Sequence, residues 1–145
     1  MKLLNKRLKW QIENKKKGIR FIPIKLKAAK LFVFVDGSFA NNKDLSSQIG
    51  FVIVLANETH CEGEFKIKGN ILHWSSVKCQ RVTRSVLASE LYAMVQGVDV
   101  AFALHTTLRL ITHQLGFEDI PTIICTDSFS LYECMVKLGS TKKNV

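Results

Sequence analysis

The spacing of apolar residues changes partway along the chain, and the change marks where strands give way to helices. Leu31-Phe32-Val33-Phe34-Val35 is an unbroken aromatic and β-branched run, the pattern of a buried strand. It stops at Asp36-Gly37-Ser38, and a polar loop through Asn41-Asn42-Lys43-Asp44 follows. Gly50 to Leu55 predicts a second strand, residues 63–69 alternate as a third, and Ile71 to Ser75 reads as a short fourth. Strands this closely spaced predict an antiparallel meander.

From Thr83 or Ser85 the period lengthens. Leu87, Leu91, Met94, Val95, Val98 and Phe102 recur at steps of three and four, predicting an amphipathic helix with that stripe facing the core. Helical character resumes at Thr106 and runs to Gln114, before Gly116 and Pro121 end it. Thr122 to Cys125 predicts another buried strand, closing at Thr126-Asp127-Ser128, and Ser130 to Leu138 a last helix with Leu131, Met135 and Leu138 on one face. The order β-β-β-(β)-α-β-α is that of an α/β domain with a mixed sheet.

Ahead of this body, residues 3–14 predict a short helix with Leu4, Leu8 and Ile12 on one face, interrupted at Lys15-Lys16-Lys17-Gly18. Residues 19–25 alternate like a strand, but Pro23 cannot donate to a ladder and confines it to an edge. The charge separates the two parts. Of 21 Lys and Arg against 12 Asp and Glu, residues 1–30 hold 11 and one, a net of +10, and residues 31–145 hold 10 and 11, a net of −1. The basicity belongs to a connector, which excludes a uniformly basic nucleic-acid coat. The lysine run itself reads as a solvated face or a nucleic-acid contact.

No apolar run approaches the roughly 20 residues of a membrane span, and charge breaks the N-terminus before a signal-peptide core forms. The expectation is an intracellular protein, cytoplasmic or nuclear, without a membrane partner. Cys61, Cys79, Cys125 and Cys134 are widely spaced, favouring reduced thiols. His60, Cys61, His73 and Cys79 fit no common zinc spacing.

Three carboxylates stand where apolar neighbours make them expensive. Asp36 directly follows the first strand, Asp127 follows the strand at 122–125 after one threonine, and Glu90 shares a helical face with Leu87 and Met94. Either aspartate alone has an ordinary reading as a turn residue or helix N-cap, and Glu90 alone as a paired core acid. Together they differ, because open α/β sheets gather ligand sites at the carboxyl ends of strands. No Lys or Arg occupies an equivalent inward position. Clustered hard oxygen ligands without an internal cation suit Mg²⁺ and phosphoryl-transfer chemistry.

These segments resemble a family. FVFVDGSFANN, then SVLASELYAMVQG, then TIICTDSFSLYE, are similar to the three successive signature segments of ribonuclease H. More narrowly, HWSSVKCQRVTRSVLASELYAM resembles the ribonuclease H region of copia-type retrotransposon polyproteins, particularly fungal ones. The resemblance covers about residues 31–140. It implies a ribonuclease H-like mixed sheet over 31–145, preceded by a 1–30 connector resembling the end of a reverse transcriptase module. It further implies that Asp36, Glu90 and Asp127 coordinate two Mg²⁺ ions, which in two-metal catalysis stabilise the attacking and leaving oxygens of an in-line displacement. The implied partners are an RNA–DNA hybrid, read through 2′-hydroxyls, and a reverse transcriptase module in cis. Gly37 and Ser38 lie beside the metal ligands in this reading. Lys78, Arg81 and Arg84 are placed to contact phosphate or to stand solvated at the helix start.

The family pattern also carries a fourth carboxylate on a final helix, reached after one more strand, and a nearby histidine. This chain stops at Lys142-Lys143-Asn144-Val145 without them. The expectations are weak binding of a second metal, slight or absent cleavage, and an uncovered edge at strand 122–126. The alternatives are a catalytically inactive retroelement relic and a nucleic-acid-binding or connection-like module drawing affinity from the basic N-terminus. A transposase or resolvase of the same broad fold is disfavoured by the Trp-Ser-Ser-x-Lys to Glu90 spacing.

Overall fold

The computed structural model describes residues 2–61 and 63–140. Its elements are α1 (Lys2–Glu13), a single 3₁₀ turn at Leu26–Ala28, β1 (Ala29–Ser38), β2 (Gln48–Cys61), β3 (Glu64–Lys78), α2 (Val86–Gln114), β4 (Thr122–Thr126) and α3 (Phe129–Ser140). The sheet order is β3-β2-β1-β4. β1 and β2 pair antiparallel, as do β2 and β3, while β4 lies parallel to β1. The fold is mixed α/β, with the meander closed by a crossover through α2.

β1 is the central strand and the most deeply buried. Leu31, Val33 and Val35 face α2 and form one core with Phe51, Ile53, Leu55, Ala101 and Ile120. Phe32, on the other face, is 1% exposed. Two of the expected strands prove to be one: β3 runs unbroken through residues 64–78. Asn70 and Ile71 pair in register with Leu55 and Val54, and the one irregularity is a bulge at Leu72, left unmatched between His73 opposite Ile53 and Ile71 opposite Val54.

The helical expectations change in two ways. α2 is a single 29-residue helix and not two segments. Ser85 caps it, its Oγ accepting from Ala88 N–H at 3.1 Å. The apolar stripe also faces the other way. Leu87, Leu91, Val95, Val98 and Phe102 are 36–70% exposed, and only Met94 of the six packs on the core. The buried face carries Ser89, Glu90, Ala93, Gly97 and Ala101. Small residues let the helix axis sit close to the sheet. A Cβ at Gly97 would lie 2.7 Å from Val35 Cγ1 and 3.3 Å from Phe51 Cβ. By length and composition α2 is apolar enough to cross a membrane; here its small-residue face lies against β1 and β2. In α3, Leu131 is buried and Met135 exposed, while the side chain of Leu138 lies outside the described residues.

Residues 19–25 form no strand. Side chains hold them instead. Asn70 Oδ1 accepts from Ile22 N–H at 2.8 Å while its Nδ2 donates to Ile22 O at 2.9 Å. Asn57 does the same for Lys25, at 2.7 and 2.9 Å. α1 has no buried residue, and its Leu4, Leu8 and Ile12 are exposed. β4 is an edge of the sheet.

Candidate metal centre

The parallel pairing of β4 with β1 sets Thr126, the last residue of β4, opposite Val35 near the carboxyl end of β1. The next residues, Asp36 and Asp127, therefore emerge together at the carboxyl edge. Glu90 reaches the same point from α2, because Ser89, Glu90 and Ala93 lie on the buried face. One carboxylate oxygen from each of the three lies within 4.8 Å of the other two. Asp36 and Asp127 are exposed, and Glu90 is 7% exposed.

Close approach of strand and helix makes this possible. A Cβ at Gly37 would lie 2.6 Å from the carbonyl carbon and oxygen of Ser89 and 2.7 Å from Glu90 N. Only glycine admits α2 this near to β1. The Gly37 N–H then donates to Glu90 Oε2 at 3.1 Å and orients the carboxylate.

The ordinary readings of the aspartates are not realised. Ser128, not Asp127, serves the start of α3: its Oγ accepts from Leu131 N–H at 3.4 Å and its carbonyl from Tyr132 N–H at 3.0 Å. Asp36 lies within β1, paired with Gly50, and not in the turn beyond it. Among the described residues none of the three acids forms an ion pair. Burial raises the Glu90 pKa above its ordinary value, and the neighbouring charges of Asp36 and then Asp127 raise it further, against the Gly37 hydrogen bond that lowers it. Three carboxylates crowd together with no neutralising side chain. That donor set fits a hard divalent cation, Mg²⁺ included.

The remaining candidates lie along the same edge. Ser38, Gln48 and Lys78 form one row across β1, β2 and β3, which puts Lys78 roughly 10 Å from Ser38 at two strand spacings. Gly37 is buried and Ser38 half-buried. Lys78 is exposed and its Nζ is bonded to Asp44, so it is already partnered. Arg81 is exposed with its guanidinium 5.7 Å from the centroid of the Tyr92 ring. Arg84 is exposed, next to the Ser85 cap, with no ion pair among the described residues.

Sequence reasoning overlooked Tyr92, whose place two residues after Glu90 puts it on a flank of α2 beside Arg81. It also overlooked Gln96, whose Oε1 is buried without a partner among the described residues. Both line a cleft of about 410 Å³ with Arg81 and Asp99. Neither residue had a signal in the sequence, since polar residues at those helix positions read as solvent-facing. Comparison of the chain with protein-family models, with curated proteins and with solved structures gives no match.

Proposed function

We propose that this chain is a ribonuclease H-like module of a retroelement polyprotein, acting with Mg²⁺ on the RNA strand of RNA–DNA hybrids. One observation carries the reading: Asp36, Glu90 and Asp127, from strand, helix and strand in that order, bring carboxylate oxygens within 4.8 Å of one another. The mixed sheet with β4 parallel to β1 agrees with a ribonuclease H-like arrangement.

A bound divalent cation supplies Lewis-acid stabilisation of charge on the phosphodiester oxygens and a lowered pKa for water. The chain's own residues do the rest. Asp36, Glu90 and Asp127 hold the cation and concentrate it at the edge of the sheet. Gly37 keeps Glu90 aimed through its N–H. Arg84, and Arg81 where it stands over Tyr92, present cations to the phosphates of the substrate strand. Among the described residues three acids meet at this point and no fourth joins them. These three would hold one cation and leave a second with fewer protein ligands, so turnover by the chain alone is expected to be slow.

The test is a labelled RNA–DNA hybrid incubated with the chain and Mg²⁺ or Mn²⁺. The RNA strand is cut, EDTA stops cutting, and Asp36→Asn abolishes it. Hybrid binding with no cleavage under any metal would replace this reading with a catalytically silent nucleic-acid-binding module.

A further inference from the structure

The carboxylate centre makes no use of the most strongly charged part of the molecule. Residues 1–30 carry 11 Lys and Arg against Glu13 alone. Lys9 pairs with Glu13 and Lys30 with Glu58, while the other nine form no ion pair among the described residues. All nine are exposed.

We infer that residues 1–30 form a second nucleic-acid contact, a tether that binds the phosphate backbone without regard to base sequence. The inference rests on the hybrid-acting reading for the identity of the duplex, though the contact itself is to phosphate. Charge complementarity points to a linear polyanion. Only Lys2, Lys6, Arg7 and Lys9 lie in α1. Lys15, Lys16, Lys17, Arg20, Lys25 and Lys27 are exposed, form no ion pair among the described residues and lie outside any α-helix, a run of cations that a row of phosphates can meet.

The run is anchored and not loose. Asn70 and Asn57 hold Ile22 and Lys25 against the sheet. In the register Lys68 stands opposite Asn57 and is exposed, so the basic track continues onto β3. Asn57 is also opposite Ala29, seven residues along β1 from Asp36. At about 3.3 Å per residue the anchor is roughly 23 Å from the carboxylates. Contacts there add to any made at the metal centre and do not duplicate them.

An anionic bilayer is the competing partner, because Leu3, Leu4, Leu8, Trp10 and Ile12 of α1 are all exposed. An interfacial helix, however, concentrates its cations on its own polar face, whereas seven of these 11 lie outside α1.

The experiment measures fluorescence anisotropy of a labelled RNA–DNA hybrid and of a DNA duplex with the full chain in EDTA, across a salt series. The comparison is with the variant Lys15→Gln/Lys16→Gln/Lys17→Gln/Arg20→Gln, whose fold is checked by circular dichroism. Neutralisation weakens binding to both duplexes by at least about tenfold, and the slope of log K against log salt falls by roughly 0.9 for each phosphate that the variant no longer neutralises. Unchanged affinity and slope would overturn the tether. So would unchanged duplex binding together with abolished binding to phosphatidylserine vesicles, which would assign the segment to membranes. Because binding is read without metal, a chain that never cleaves still passes or fails this test on its own terms.

Discussion

The backbone N–H of Gly37 donates to Glu90 Oε2 at 3.1 Å, tying the end of β1 to the start of α2. The bond exists only because position 37 has no side chain. Gly37→Ala places a Cβ within 2.7 Å of the backbone of Ser89 and Glu90, which cannot rotate away. The strand and helix must separate, at a cost of about 1–3 kcal/mol or more. Urea denaturation is expected to show that loss, and isothermal titration with Mn²⁺ a loss of binding. Gly97→Ala overpacks the core against Val35 at a similar energetic cost, and because Gly97 helps seat the helix that carries Glu90, Mn²⁺ binding weakens as well.

Removing one acid strengthens the metal-free fold. Burial of a charged Glu90, and then the like charges of Asp36 and Asp127, work against the fold, so Glu90→Gln raises the melting temperature measured in EDTA. Mg²⁺ stabilises the wild-type chain by mass action and leaves the variant's melting temperature unmoved. A variant that melts lower than wild type in EDTA would contradict this crowding of charge.

The same shift sets a pH dependence. Glu90 has its pKa raised above the ordinary 4.5 in the folded chain, so the folded state binds the proton more tightly than the unfolded state does. That contribution to stability is complete below pH 4.5 and disappears as pH rises through the folded value. Asp44 runs opposite: its bonds to Lys78 and Ser46 hold its pKa well below the usual 3.8, stabilising the fold above that value. The difference in stability between wild type and Glu90→Gln, followed in EDTA, isolates the first effect. It should grow from the acid side toward neutrality.

The orientation of α2 is checked by paired substitutions. Leu91 is 39% exposed, so Leu91→Gln changes stability by no more than about 0.5 kcal/mol. Ala101 is 1% exposed against β1, and Ala101→Leu costs about 1–3 kcal/mol by overpacking. Chemical denaturation of the two variants separates these outcomes. The reverse ranking would restore the stripe to the core.

Much of the architecture was legible because the relevant signals are local. Five apolar residues ending in Asp36 marked β1, and Thr122 to Cys125 marked β4. The three acids were legible as a set because each broke an apolar context. The inward face of α2 was not. Hydrophobic periodicity rewards large side chains, whereas the first half of α2 meets the sheet largely through small ones, so Ala93, Gly97 and Ala101 face in while Val95 and Phe102 face out, and Leu104 and Leu108 pack on the core farther along. Glu90 was nonetheless placed inward, because it lies near both arcs. The join of the expected third and fourth strands depended on a bulge opposite Ile53 and Val54, a cross-strand event that no single segment reveals. The hold on residues 19–25 depended likewise on Asn57 and Asn70, far away in the chain.

The row of small residues on α2 has a mechanical consequence. An α-helix turns about 100° per residue, so a helix seated by Ala93, Gly97 and Ala101 cannot slip by a single position without driving a larger neighbour into the sheet. Those three positions therefore work as an index, locking the rotation of a rod whose near end carries Glu90. A substitution at residue 101, three helical turns from the acid, changes the aim of that carboxylate by twisting the rod, with no contact to the metal ligands at all.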